Sequence, residues 1–357
     1  MGRNRISRRE FLYMGALFVG GLSLSPWQRL LLLPEFPKAD RLGRVIGGRV
    51  SIKARPDIDS QDVGLVFDDD IVPWYREIVG SRPLWYNQRF VETEGGYIYA
   101  PNLQPVRNLP NIPVEELIQP GGFWVEVTVP YVDLVMENPP PRSPWLKNTN
   151  TPRLYYSQIM FVDQIKKNED GNILYRVVEK YGTFGDRFWA PGEAFRIITQ
   201  EELMPINPEV EDKKVVVDLT HQTLSCYEAD TEVYFCRVST GDKFDAEGNP
   251  VDEWSTPIGG HSIWRKLVSV HMTGGTTGGG YDLPGIGWTT LFSGNGVAVH
   301  STFWHNSFGV PRSHGCVNAQ PEDAQWIFRW TVPEVPYDSG DITISGQAST
   351  KVHVVEN

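Results

Sequence analysis

Val299-His300-Ser301 and, further on, Ser313-His314-Gly315-Cys316-Val317-Asn318 bring a histidine, a glycine and a cysteine into the pattern of a thiol nucleophile. A thiol attacks carbon only as thiolate, so a catalytic cysteine needs a base or a positive field beside it. A histidine on a neighbouring strand supplies both. Gly315, without a Cβ, lets the backbone approach a reacting carbonyl closely, and successive N–H groups there can hold its developing negative charge. Four of the seven histidines lie with one cysteine in this part of the chain: His271, His300, His305, His314 and Cys316. Imidazole and thiolate are also zinc ligands, but no pair has the short spacing of a zinc knuckle or of H-E-x-x-H, so no metal is expected. No motif position supports His305, and His221, His261 and His353 read as surface or structural.

Around this stretch the pattern is one of strands. Val215-Val216-Val217-Asp218-Leu219, Leu224-Ser225-Cys226-Tyr227 and Val233-Tyr234-Phe235-Cys236-Arg237-Val238 are predicted strands, closed by the turn Ser239-Thr240-Gly241. Only Pro321 to Thr331 reads clearly as a helix. Pro321 suits its first turn, Glu322 and Asp323 suit its positive end, and Trp326, Ile327 and Trp330 share a face. No G-x-G-x-x-G or P-loop is present, and no cofactor is expected.

Taken together these residues resemble the L,D-transpeptidase catalytic domain, or YkuD domain. Its signature is a histidine, a variable gap, then S-H-G-C, an apolar residue and Asn or Arg. The resemblance extends over residues 211–346. Val217-Asp218-Leu219-Thr220 with Gln222-Thr223-Leu224 matches the opening hairpin, and Ser239-Thr240-Gly241 and Thr256-Pro257-Ile258-Gly259 match the next landmarks. Met272-Thr273-Gly274-Gly275 and the stretch to Trp288 fall where the family places a lid. The resemblance implies a mostly β fold, a β-sandwich with one short helix. It implies a reaction in which Cys316 attacks the amide between the third and fourth residues of a peptidoglycan stem peptide and D-alanine leaves. The thioester then passes to an amine of a second stem, giving a 3→3 cross-link, or to water. His300 would be the base, oriented by the carbonyl of Ser301. His314, Gly315 and Asn318 would shape the oxyanion site, with Ser313 in the same loop. Tyr281 is a lid candidate by position, and Arg312 a receiver for a substrate carboxylate.

Upstream the chain is also rich in strand signals. Phe123-Trp124-Val125-Glu126-Val127-Thr128-Val129 alternates as a strand with one wet face should, and Asn168 to Asn172 reads as a hairpin turn. Val50-Ser51-Ile52-Lys53-Ala54-Arg55-Pro56 and Gly96-Tyr97-Ile98-Tyr99 resemble the opening and closing strands of a bacterial SH3-like module, with Trp74 to Phe90 as a long middle. Ser7-Arg8-Arg9-Glu10-Phe11-Leu12, followed by the apolar Tyr13 to Leu24, resembles a twin-arginine signal, a route that carries folded proteins out of the cytoplasm to the periplasm or wall. No A-x-A cleavage site follows, so an uncleaved segment acting as a membrane tether stays open. The expected division is 1–40 signal and linker, 44–108 SH3-like module, 109–208 connecting β-rich domain, 211–346 catalytic domain and 347–357 tail.

The totals set limits on this reading. A chain of 357 residues is expected to form two or three domains, and 40% apolar content indicates packed cores. A net charge of −11 argues against nucleic acid as a partner. Three cysteines build no disulfide framework. With a turn at Ala229-Asp230, Cys226 would face Val233, and Cys236 would point to the other side of the sheet; a bridge needs another register. Both read as small buried apolar residues. The alternatives to a transpeptidase are a non-catalytic cell-wall-binding protein, a thiol endopeptidase and a zinc site.

Overall fold

In Lys213–Asp218 burial alternates, Val215 and Val217 facing the core, and this strand lies inside a five-stranded sheet. The order across that sheet is Thr231–Arg237, Thr223–Glu228, Lys213–Asp218, Lys351–Val355, Gly259–Ser262. A second five-stranded sheet runs Val317–Ala319, Ala298–Ser301, Tyr281–Leu291, Arg265–Gly274, Asp341–Thr343. The computed structural model describes residues 32–83, 87–147, 151–182, 184–244, 248–274, 281–345 and 348–356. The twin-arginine stretch, residues 275–280 of the stretch expected to form a lid, and residues 84–86 of the N-terminal module lie outside these. Among the described residues no helix is long and apolar enough to cross a membrane.

Residues of both sheets and of the helix Pro321–Trp330 share one apolar core, including Val217, Leu224, Val268, Trp288, Val317, Ile327 and Phe328. The helix has Pro321 in its first turn, where a missing N–H is harmless, and Glu322 and Asp323 at its positive end. Its other end meets the buried amine of Lys266, which donates to the carbonyls of Phe328, Thr331 and Pro333. These donated hydrogen bonds answer the orphan carbonyls of the last turn, while burial pulls the Lys266 amine well below its ordinary pKa.

Two expectations are corrected in this domain. Residues 347–357 are no tail: Lys351–Val355 pairs parallel with Lys213–Asp218 and antiparallel with Gly259–Ser262, so it fills the sheet interior. Its alternation was readable, but its separation from the other strands hid its place. Val352 and Val354 are each 1% exposed, and burying such side chains contributes about 1.5–3 kcal/mol apiece. A chain ending at Thr350 is therefore expected to lose the cooperative melting transition of the catalytic domain, since that loss alone is a large share of a typical stability of about 5–15 kcal/mol. Circular dichroism melting checks it; an unchanged transition would mean the strand is dispensable. The cysteine register also differs. A bulge after Cys226 sets it against Tyr234 and puts Cys236 opposite Leu224, so both thiols face the same core. Both are free and buried, at 0% and 6% exposure.

The connecting region folds as a six-stranded sheet ordered Val135–Met136, Arg187–Pro191, Ile173–Val178, Ile159–Lys167, Phe123–Val127, Phe195–Ile197. Its hairpin turns at Asn168–Asn172, where Gly171 has φ +88°. The strand Phe123–Val127 has no wet face. Phe123, Val125 and Val127 enter the core of their own sheet, while Trp124 enters the core of the catalytic domain with Ile159 and Phe161. Trp124 Nε1 donates to the Tyr337 carbonyl at 3.0 Å, and the Tyr337 hydroxyl donates to the Ile198 carbonyl at 2.8 Å. The alternation predicted from sequence was real, but a second core covers the side expected to meet water.

The N-terminal strands, starting at Leu42, form a three-stranded and a five-stranded sheet. Arg44 fixes them to the catalytic domain. Buried, it pairs with Asp69 at 2.8 Å, donates to Gln104 Oε1 at 2.8 Å and reaches the Phe303 carbonyl at 2.9 Å. Phe303 lies just beyond His300, so all three parts of the chain converge on the site.

Candidate active site

The strands Ala298–Ser301 and Val317–Ala319 run parallel and paired, with Val299 against Val317 and His300 against Asn318. This pairing brings the two halves of the motif side by side, with Cys316 at the entry to the second strand. Gly315 has φ +117°, a conformation that side chains rarely adopt, and it turns the chain into that strand. Its N–H is taken by Ser313 Oγ at 3.1 Å, and Ser313 Oγ donates to the Cys316 carbonyl. Gly315 thus shapes the loop, and its N–H is engaged within it, where the resemblance placed it toward the oxyanion.

Segments remote in sequence hold this loop. The Thr240 carbonyl accepts from the N–H groups of Arg312 at 2.8 Å and Ser313 at 3.0 Å, and Ser239 exchanges both backbone bonds with Asn318. The Thr256 hydroxyl donates to the Gly315 carbonyl at 2.8 Å and accepts from Gly241 N–H at 2.9 Å. A Cβ on Gly241 would stand 2.0 Å from the Trp254 carbonyl oxygen and 3.0 Å from Gly315 Cα, so only glycine lets these backbones meet. The landmarks Ser239-Thr240-Gly241 and Thr256-Pro257 are therefore the clamp of the cysteine loop.

His300 is 2% exposed. Its Nδ1 faces the Ser301 carbonyl at 2.9 Å and must donate to it, which leaves Nε2 with a lone pair. Burial pulls the imidazole down to about 4, against that bond. Burial likewise pushes the Cys316 thiol up to about 11, while the Ala298 N–H favours the thiolate. Cys316 Sγ lies 3.9 Å from the Gly296 carbonyl. Both shifts favour neutral forms, so the resting pair at neutral pH is thiol and imidazole. Alkylation of Cys316 by iodoacetamide is then expected to quicken about tenfold per pH unit from pH 7 to 10, because the thiolate fraction grows at that rate below the pKa. Intact-mass kinetics reads this directly; a flat rate across pH 6–9 would instead report a preformed thiolate–imidazolium pair.

Aromatic rings enclose His314. The Trp254 ring lies 4.3 Å from it, edge to face, and the Tyr281 ring 5.4 Å away. Burial, and after it the nearby Cys316, pushes the Tyr281 hydroxyl up. His314 Nε2 is buried without a partner among the described residues. Ser301 Oγ accepts from Gly287 N–H at 3.2 Å, tying His300 to the strand Tyr281–Leu291. Arg312 is exposed and close enough to His305 for its charge to lower that imidazole, after burial, to about 3.

Asn318 is buried with one carboxamide atom 2.8 Å from His305 Nε2 and the other without a partner. His305 Nδ1 accepts from Ser307 N–H at 3.1 Å, so a neutral ring carries its proton on Nε2. That proton requires the carboxamide oxygen opposite it, and the Asn318 amino group is left as the unspent donor. Of the four clustered histidines, His300 and His314 flank the cysteine and His305 braces Asn318. His271 is elsewhere engaged. Against the downward pull of burial, Glu179 and Asp282 on its two nitrogens hold its pKa up. Among the described residues no group of three or more His, Cys, Asp or Glu side chains is placed to hold a metal. Sequence reasoning missed Trp254 and the bracing role of His305; neither belongs to a motif, and only the folded chain brings them in.

Comparison with known proteins bears on this domain. Residues 212–354 match the YkuD family, the L,D-transpeptidase catalytic domain. No curated protein matches the chain. Among solved structures it is similar to a mutant L,D-transpeptidase of Enterococcus faecium, at 20% identity over 46% of this chain and 56% of that one, with a TM-score of 0.30. It is similar to an L,D-transpeptidase of Mycobacterium smegmatis at 16% identity, covering 54% and 98%, with a TM-score of 0.32. A third, from Xylanimonas cellulosilytica, shares 20% identity over 46% and 74%, with a TM-score of 0.28. This chain spans just over half the length of the first of these.

Proposed function

We propose that this protein is a cysteine acyltransferase of the L,D-transpeptidase class acting on peptidoglycan stem peptides. The observation that carries the reading is the parallel pairing of the His300 strand with the strand that Cys316 leads into, with His300 held by its Nδ1 so that Nε2 is the free base. Cys316 sulfur adds to the carbonyl of the amide between the third and fourth residues, and its proton goes to His300 Nε2. Negative charge gathers on the carbonyl oxygen as the tetrahedral intermediate forms. The C–N bond breaks, the leaving nitrogen takes the proton from His300, and D-alanine departs with a thioester left on Cys316. An amine of a second stem, or water, then attacks the thioester, His300 again carrying the proton to the departing sulfur.

The thiol and imidazole that begin the cycle are both neutral, so charge separates only as the bond to carbon forms, and a buried site favours that order. We further propose that Ser7–Leu12 directs the folded protein out of the cytoplasm, with Tyr13–Leu24 as tether if uncleaved, and that residues 44–108 form an SH3-like module that meets wall polymer. Incubation of the folded protein with purified stem peptides, followed by mass spectrometry of the products, tests the reaction. Loss of one D-alanine, with or without a cross-linked dimer, is expected. Unchanged peptides and no thioester would leave a wall-binding protein without catalysis.

A further inference from the structure

A cavity of about 240 Å³ lies where the N-terminal module meets the loop that follows His300. Thr302, His305 and Phe308 of the catalytic domain form one wall, Arg41, Arg89 and Arg107 another, and Tyr156 of the connecting domain closes it. Cys316, His314, Trp254 and Tyr281 are not part of its lining. Of its two carboxylates, Glu77 is held by Arg41 at 3.5 Å and Arg89 at 3.2 Å, and Glu322 sits in the first turn of the helix. Arg107 is exposed and has no ion pair among the described residues. Three guanidiniums against two carboxylates leave one positive charge. Thr302 is 3% exposed, and its hydroxyl has no hydrogen-bond partner among the described residues. Buried polar groups in folded proteins are nearly always satisfied, so this one calls for a ligand or a water. Leu42, Val106 and Phe308 add an apolar patch beside the polar side chains of Gln104, Asn306 and Gln320.

We propose that this cavity binds the carboxy-terminal end of a peptide, Arg107 and the Thr302 hydroxyl taking the carboxylate and Leu42, Val106 and Phe308 a small apolar side chain. A single net positive charge matches a carboxylate rather than a phosphate dianion, and the patch of Leu42, Val106 and Phe308 gives a hydrocarbon body a place that a bare anion would not use. The volume suits one or two small residues. His305 is both a wall of the cavity and the partner of Asn318, so one hydrogen bond links the cavity to the strand that follows Cys316. The site stands on its own residues, whether or not Cys316 transfers acyl groups.

The test is titration of the full chain with N-acetyl-alanyl-alanine and with its carboxamide, by calorimetry and by the ring signals of the histidines in NMR. The acid is expected to bind at least tenfold tighter than the amide and to shift His305 while leaving His314 in place. Arg107→Gln and Thr302→Val should each weaken the acid at least tenfold with the melting temperature unchanged. Equal binding of acid and amide would overturn the proposal, as would a shift of His314 in place of His305, insensitivity to both substitutions, or no binding by folded protein.

Discussion

Cys316→Ala protein is expected to form no acyl-enzyme and to release no D-alanine from stem peptides, while Cys226→Ala and Cys236→Ala retain both. The three thiols differ in setting. Cys226 and Cys236 face the core of the catalytic domain, and burial pushes both far above the ordinary thiol range. Cys316 is half-buried, next to Ser313, Gly315 and the His300 strand. Because covalent catalysis runs through one sulfur, its removal leaves no second route, and the loss should be complete to the limit of detection. The same settings predict that a thiol reagent marks Cys316 first. The chemistry of the resemblance also predicts one carbapenem adduct per chain, on Cys316, since opening of a strained β-lactam releases no leaving group and lets the thioester persist. Peptide mapping after incubation checks both, and first labelling at Cys226 or Cys236 would sink the assignment.

His300→Ala is expected to lower acylation by about 10² or more, the usual worth of a positioned general base. The pH dependence separates this role from a structural one. With the imidazole pulled down to about 4 and the thiol pushed up to about 11, the intact enzyme should acylate at a nearly constant rate between those values. Below about 4 the base is protonated and the rate falls. Without His300 the reaction must wait for thiolate, and the rate should climb about tenfold per pH unit toward 11. Near-normal acylation with a flat profile in His300→Ala would pass the role to another group.

Much of the C-terminal domain could be read before any coordinates, and the reasons are local. The run of valines at 215–217 reads as a strand, the helix at Pro321 carries its own start signals, and S-H-G-C packs the candidate nucleophile and its loop into adjacent residues. What stayed hidden depends on long-range closure. Trp124 alternates correctly with its neighbours, yet nothing in a strand pattern tells that a second core waits on its far side. Val352 and Val354 alternate too, but a strand's position in a sheet is fixed by partners far away in sequence. Gly315 was legible as a needed glycine; that Ser313 would engage its N–H follows only from the folded loop. His305 lacked any motif, and its bond to Asn318 arises because the chain between the paired strands doubles back.

The strand Lys351–Val355 follows every other strand of the catalytic domain in sequence, yet lies between the first strand and Gly259–Ser262. During synthesis the ribosome releases these residues after all the rest of the domain, so Lys213–Asp218 stands with an open edge until they emerge. Closing the sheet joins segments more than a hundred positions apart, a contact of high order that slows folding. Until then the unpaired N–H and C=O groups of that edge are open to wrong pairing, a hazard that the arrival of Lys351–Val355 removes.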